Sequence, residues 1–159
     1  MKRIELIFDH VDGLSNLYLI DVRGVTRIDR HVSDGTVLPV INSNTYIYKL
    51  PVLEDFSYTE NAVTDERGTA YKVEIHGFIP RIGQAYTIQQ LESGEWLALI
   101  QDANGDILLC GSRDVPLTFS GEKGAGSGRN GTTFKLYGVE PDASAVVSEN
   151  SMAKVLSES

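Results

Sequence analysis

Apolar and polar residues alternate one by one along most of the chain, and this period of two, which sends successive side chains to opposite faces, predicts strands. The clearest case is "TAYKVEIHGFI" (69–79), where Tyr71, Val73 and Ile75 alternate with Lys72, Glu74 and His76 as in a strand with one wet face. "RIELIF" (3–8) and "NLYLIDV" (16–22), separated by Asp12-Gly13, read as an opening hairpin. "TVLPVI" (36–41) carries Pro39, which has no N–H for a central ladder and predicts an edge or a bend. "TYIYKL" (45–50) follows a turn-like "NSN", and "DFSYTENA" (55–62) leads to the strand at 69–79.

One stretch breaks the alternation. Between Pro80 and Gly94, Ile82, Tyr86 and Gln90 fall at helical spacing, as do Ile88 and Leu91; Gly83 and Gly94 bracket a short helix with Thr87 as its cap. Such a helix would cover apolar side chains at an open end or face of the sheets. "EWLALIQ" (95–101) and "ILLCG" (107–111) then make a hairpin apolar on both faces, predicting the most buried pair of the domain. The Asn104-Gly105 pair between them predicts a type I′ turn. "VPLTFSG" (115–121) and "TTFKLYG" (132–138) flank a glycine-rich loop at 120–131, and from Val139 the chain turns acidic and rich in small residues. The expectation is a mainly β fold, a β-sandwich or β-barrel with one short flanking helix. It comprises a single β domain over 1–138, with 31–50 as an arm or hairpin and 139–159 as an acidic tail or arm.

Composition narrows the function. A chain of 159 residues suits one domain with one core. The net charge of −8, with no Lys/Arg cluster interleaved with aromatics, disfavours recognition of DNA or RNA. Arg23, Arg27 and Arg30 have Asp21 and Asp29 beside them and read as a solvated face. Cys110 is alone, so no intramolecular disulfide forms, and its apolar neighbours predict a buried small hydrophobe. The apolar run in "MKRIELIFDH" breaks at Asp9, too short for a signal peptide or membrane span, so no membrane partner is expected. The sequon Asn130-Gly131-Thr132 then has no glycan to accept.

No catalytic, metal or cofactor site is predicted. In the glycine-rich segment Lys123 precedes Gly124, Gly126 and Gly128, and Arg129-Asn130 follow, the wrong order for a phosphate cradle that ends in Gly-Lys-Ser/Thr. Glycines spaced by two and followed by a strand do not fit a dinucleotide fingerprint either. What remains is a flexible β–β connection of the kind that serves in binding. "DANGD" spaces Asp102, Asn104 and Asp106 like a calcium loop, but Ile107 and Arg113 stand where glycine and the bidentate glutamate belong, and a hairpin turn explains all three. His10, His31 and His76 are scattered, and the pairs Glu54-Asp55 and Asp65-Glu66 sit at loop edges.

The second half, "YKVEIHGFIPR…LESGEWLALIQDANGDILLCGSRDVPLTFSGEKGAGSGRNGTTFKLYG", resembles small tail proteins encoded by phages and prophages of Bacteroidetes. The resemblance spans about residues 55–140. It rests on Gly77 to Pro80 ("x-G-x-I-P"), Asn104-Gly105, Pro116 to Ser120 ("P-L-x-F-S"), and Arg129 to Gly138. It implies a virion structural component, a tail tube or ring-forming subunit whose partners are copies of itself and other tail proteins, with DNA passing through without specific binding. Lys123, Gly124, Gly126, Gly128 and Arg129 would then serve assembly, together with the arm-like 31–50, by ordering on a neighbouring ring. A tail terminator or connector is the alternative within the virion. The alternative of another class is a carbohydrate-binding β-sandwich with Trp96, Tyr71 or Tyr137 stacking on a sugar, although packing roles are expected of these aromatics.

Overall fold

A computed structural model describes residues 13–53, 56–126 and 130–148. They form, in order, β1 (Leu14–Asp21), β2 (Val25–Arg30), β3 (Val37–Ile41), β4 (Ile47–Leu50), β5 (Ser57–Asp65), β6 (Gly68–Pro80), α1 (Ala85–Ser93), β7 (Glu95–Asp102), β8 (Ile107–Cys110), β9 (Leu117–Gly124), β10 (Gly131–Glu140) and β11 (Ala145–Val146). The fold is mainly β with one short helix, as the alternation predicts.

β7 is the hub. β1 pairs along one of its edges, from Leu14↔Asp102 to Asp21↔Trp96. β8 pairs along the other, from Ala98↔Cys110 to Gln101↔Ile107. Adding β4 on β1 and β11 on β8 gives a layer β4-β1-β7-β8-β11. A second layer, β9-β10-β6-β5, is antiparallel throughout. Among the described residues the two are continuous where Glu95 and Trp96 pair with Thr118 and Leu117, so a single sheet bends over on itself as a sandwich.

Strand parity explains the two faces. Leu17, Leu19, Trp96, Ala98, Ile100 and Cys110 point between the layers, where they meet Val73, Ile75, Leu117, Phe119, Phe134 and Leu136. The intervening residues Tyr18, Ile20, Leu97, Leu99, Ile107 and Leu109 point the other way into a second cluster with Val25 and Val37. The two-stranded β2–β3 ribbon supplies those valines and covers the outer face. The β7–β8 pair is apolar on both faces because it has a core on each, and each fully buried aliphatic side chain contributes about 1.5–3 kcal/mol.

α1 lays Ile88 and Leu91 into the inner core beside β9 and turns Tyr86 and Gln90 outward, and Ile82, in the turn before it, is exposed as well. Its cap is not the predicted one: Gln84 occupies the N-cap position without a side-chain capping bond, and Thr87 lies within the helix. Gly77 faces inward directly opposite Phe134, whose ring covers it; a Cβ on Gly77 would lie 2.5 Å from the ring's Cζ. That contact gives the "x-G-x-I-P" glycine a packing reason.

Several expectations are corrected. The strand predicted over 3–8 lies outside the described residues, and both edges of β1 are occupied, by β4 and β7. The 31–50 segment is no arm, because β3 pairs with β2 (Pro39 opposite Ile28, in a two-stranded ribbon) and β4 with β1. The β7–β8 turn is not type I′. Asn104 keeps a negative φ, Gly105 adopts +92°, and Gly105 N–H donates to Asp102 O at 3.2 Å, which together make a three-residue loop of a type I turn plus a left-handed glycine. The chain after Val139 is not a detached tail as far as Ser148. It finishes β10, forms β11 and bridges Val147 to Val37.

Candidate assembly surfaces

Half of the glycine-rich segment, 120–124 and Gly131, is strand. Lys123 pairs with Thr132 and Gly124 with Gly131, so the connection shrinks from 120–131 to 125–130. Gly128 and Arg129 lie outside the described residues. Gly126 has φ +151°, and its N–H donates to Asn130 Oδ1 at 3.1 Å; Asn130 O in turn accepts from Arg81 N at 2.9 Å. Gly131 needs to be glycine, because at φ +155° a Cβ would lie 2.3 Å from Ile79 O. Gly124 has open space at its Cβ position. Asn130 and Gly131 of the "R-N-G" in the resemblance therefore pin one side of a hairpin tip, and among the predicted assembly residues only Lys123 and Gly124 are placed as an exposed strand end.

The sheet path offers a clearer feature. It runs from β11 to β5, with β4 at the end of a branch through β1; β5 and β4 each have no second strand partner among the described residues. β5 and the start of β6 protrude as a ribbon in which every residue from Asn61 to Thr69 is exposed, Val63 included. Val63, Ala70 and Val139 line a shallow depression there, and exposed Tyr137 lies further along the same face. Tyr46, Ile47 and Leu53 in and beside β4, and Ile82 and Tyr86 of the helical segment, leave further large apolar side chains in solvent, Ile47 paired with Ile20 on the outer face of its layer.

A cleft of about 450 Å³ lies beside β4, lined by Tyr46, Tyr48, Gln90 and Trp96 with Asp21, Arg23 and Glu95 at its polar wall. Tyr48 Oη donates to Gln90 Oε1 at 3.2 Å, and Gln90 Nε2 donates to Tyr86 Oη at 3.0 Å. Arg23 Nη2 meets Asp21 Oδ2 at 2.7 Å, and this hydrogen bond holds the Asp21 carboxyl below the usual range. Arg27 pairs with Asp29 at 2.9 Å, so the basic cluster is the solvated face the sequence predicts. Trp96 is buried, donates its indole N–H to Leu91 O at 2.8 Å and meets Tyr48 edge to face. It cannot present a face to a sugar. Tyr71 is half-buried and Tyr137 is exposed with Lys135 Nζ 5.1 Å from its ring centre, so the expected packing role does not extend to Tyr137.

A partly buried polar cluster joins β5, β8 and the segment before β11. Glu60 Oε1 accepts from Ser144 N at 2.9 Å and from Ser144 Oγ at 2.7 Å, tying β5 to the segment before β11. Cys110 is fully buried, and burial pushes its thiol up to about 12. Burial raises Tyr58 as well, with the neighbouring Cys110 adding to it. Glu140 shares the inward parity of Thr132, Phe134 and Leu136, and burial pushes its carboxyl up to about 7 while the Ser112 hydroxyl pulls the other way. That parity is the sequence signal by which Glu140 could have been found.

Asp102 Oδ1 accepts from the N–H groups of Asn104 and Asp106, each at 2.9 Å, so the "DANGD" carboxylate is used by its own turn. Among the described residues no three His, Cys, Asp or Glu side chains converge as a metal site. Nor is any described helix long and apolar enough to cross a membrane. The chain matches no family model, no curated protein and no solved structure.

Proposed function

We propose that this chain is a structural subunit of a phage or prophage tail that assembles with copies of itself into a ring or tube for DNA passage, inside a virion that also contains other tail proteins. The observation that carries the reading is the pair of strand edges, β5 at one end of the sheet path and β4 at the end of the β1 branch, that have no further strand partner among the described residues and that each carry an exposed apolar side chain, Val63 and Ile47. Two different edges on one molecule make a head-to-tail contact, which closes into rings when the rotation allows. The resemblance over about 55–140 supports the tail context, and a net charge of −8 suits a conduit that phosphates pass without sticking.

Size-exclusion chromatography with light scattering, followed by negative-stain imaging, tests this. Rings or tubes are expected; a monomer at every concentration would refute it. Ile47→Lys on β4 and Val63→Lys on β5 should each abolish assembly and leave the fold intact, since both side chains are exposed. A terminator or connector, which caps a ring, would lose self-assembly from neither change and partner binding from one.

The Tyr46-lined cleft favours a second reading, a glycan-binding module, with Tyr46 in place of the buried Trp96. Binding of a glycan array by the wild type and not by Tyr46→Ala would support it over the assembly reading.

A further inference from the structure

Glu140 is the last residue of β10, and everything that follows it up to Ser148 is a strap laid across the layer edge. Four contacts hold the strap: the Ser144 bonds to Glu60, the two-residue β11–β8 pairing, Val147 N–H to Ile107 O at 2.8 Å, and Ser148 N–H to Val37 O at 2.8 Å. The Glu140 side chain sits at its root. The residue is 4% exposed, Oε2 accepts from Ser112 Oγ at a long 3.3 Å, and Oε1 has no hydrogen-bond partner among the described residues. It lines a cavity of about 140 Å³ together with Ser112, Asp142, Ser144 and Arg30. An ionised carboxylate so placed is costly, whereas a protonated one is neutral and has a donor of its own to offer.

We infer that the Glu140 carboxyl is a proton-operated latch: protonated, it rests in its cavity and keeps the strap 141–148 closed over β8; ionised, it loosens the strap and uncovers the β8 edge and Val37. The groups around it fit that role. Asp142 of the strap also lines the cavity, and Glu60 on β5 is taken up by its bonds to Ser144, so neither carboxyl supplies a positive partner. Ser112 and the buried neutral thiol of Cys110 on β8 add no compensating charge, and Tyr58 of β5 stays neutral. Arg30 of β2 is the cation among the cavity's lining residues, and drawing it inward is what ionisation of Glu140 would favour.

The strap would then be a cover for a third strand edge. This role is independent of what the other two edges bind. Hydrogen exchange of the Val147 and Ser148 amides in the full-length protein, corrected for intrinsic rates, reads the latch directly. The sign follows from proton binding: the opened strap lets Glu140 titrate as an ordinary carboxyl near 4.5, while the closed one holds its proton to about 7. Protection is therefore full at low pH, falls by up to about tenfold per pH unit between roughly 5 and 7, and is flat above. Glu140→Gln should hold the low-pH protection at every pH. Ser112→Ala, which removes the hydroxyl favouring the charged form, should move the midpoint upward. Wild-type protection that stays constant from pH 5 to 8 would overturn the inference, and so would an unchanged profile in Glu140→Gln.

Discussion

The Phe134 ring over Gly77 can be tested as a coupled pair. Phe134→Ala alone empties a fully enclosed aromatic site and should cost about 3–5 kcal/mol. Gly77→Ala alone places a methyl 2.5 Å from Cζ and 2.7 Å from Cε1 of Phe134, and 3.2 Å from Phe56, distances at which the ring has to move. Overpacking of this kind costs about 1–3 kcal/mol, offset by the roughly 0.5–1 kcal/mol that alanine gains over glycine in a strand. In the Phe134→Ala background the obstacle is gone, and Gly77→Ala should turn neutral or stabilising. The double variant is then expected to be more stable than the sum of the singles by about 1–3 kcal/mol. Urea denaturation at matched m-values measures all four corners of the cycle, and Phe134→Leu substitutes if the alanine variant is too unstable. Additivity within about 0.5 kcal/mol would refute the claim that the glycine exists to receive the ring.

Gly131→Ala should destabilise by about 2 kcal/mol or more, from its positive φ and the approach to Ile79 O, whereas Gly124→Ala, with open space, should lie within about 0.5 kcal/mol of wild type in thermal melts. Cys110 should resist a thiol reagent in native buffer at pH 8 and react only as the protein unfolds, since the thiol is buried and its pKa raised to about 12; rapid native labelling would contradict its placement. Deleting Lys123–Arg129 now removes two ladder pairs as well as the loop, so a stability loss of about 1–2 kcal/mol by denaturant melt is expected alongside weaker assembly. Unchanged assembly would exclude the loop as a contact.

The strands were legible where alternation is strict, as in β6, and the buried β7–β8 hairpin was legible from its unbroken apolar runs. What alternation could not supply is which strand lies beside which. β1 finds β7 about 80 positions away rather than the nearby 3–8, a pairing decided by two apolar faces needing two cores. The helix was visible, but Thr87 misled as its cap because a 3-10 turn, Ile82–Gln84, precedes it and moves the start. Glycine density suggested a long loop at 120–131, yet Gly121 and Gly124 sit in strand, the first because a Cβ would press on Thr132. That β5 and β4 lie at edges is invisible in a sequence, since any strand can be terminal.

The hub position of β7 also sets an order of events during synthesis. The neighbour-to-neighbour ladders β5–β6 and β9–β10 can close soon after their residues emerge, while β1, which has β4 for one edge from residue 50 on, has no partner for its other edge until residue 102 has been made, and the β2–β3 ribbon has no covered layer to dock on before then. Roughly the first third of the chain therefore leaves the ribosome with its apolar strands waiting, and it is this interval, rather than the finished protein, in which a chaperone would find something to hold.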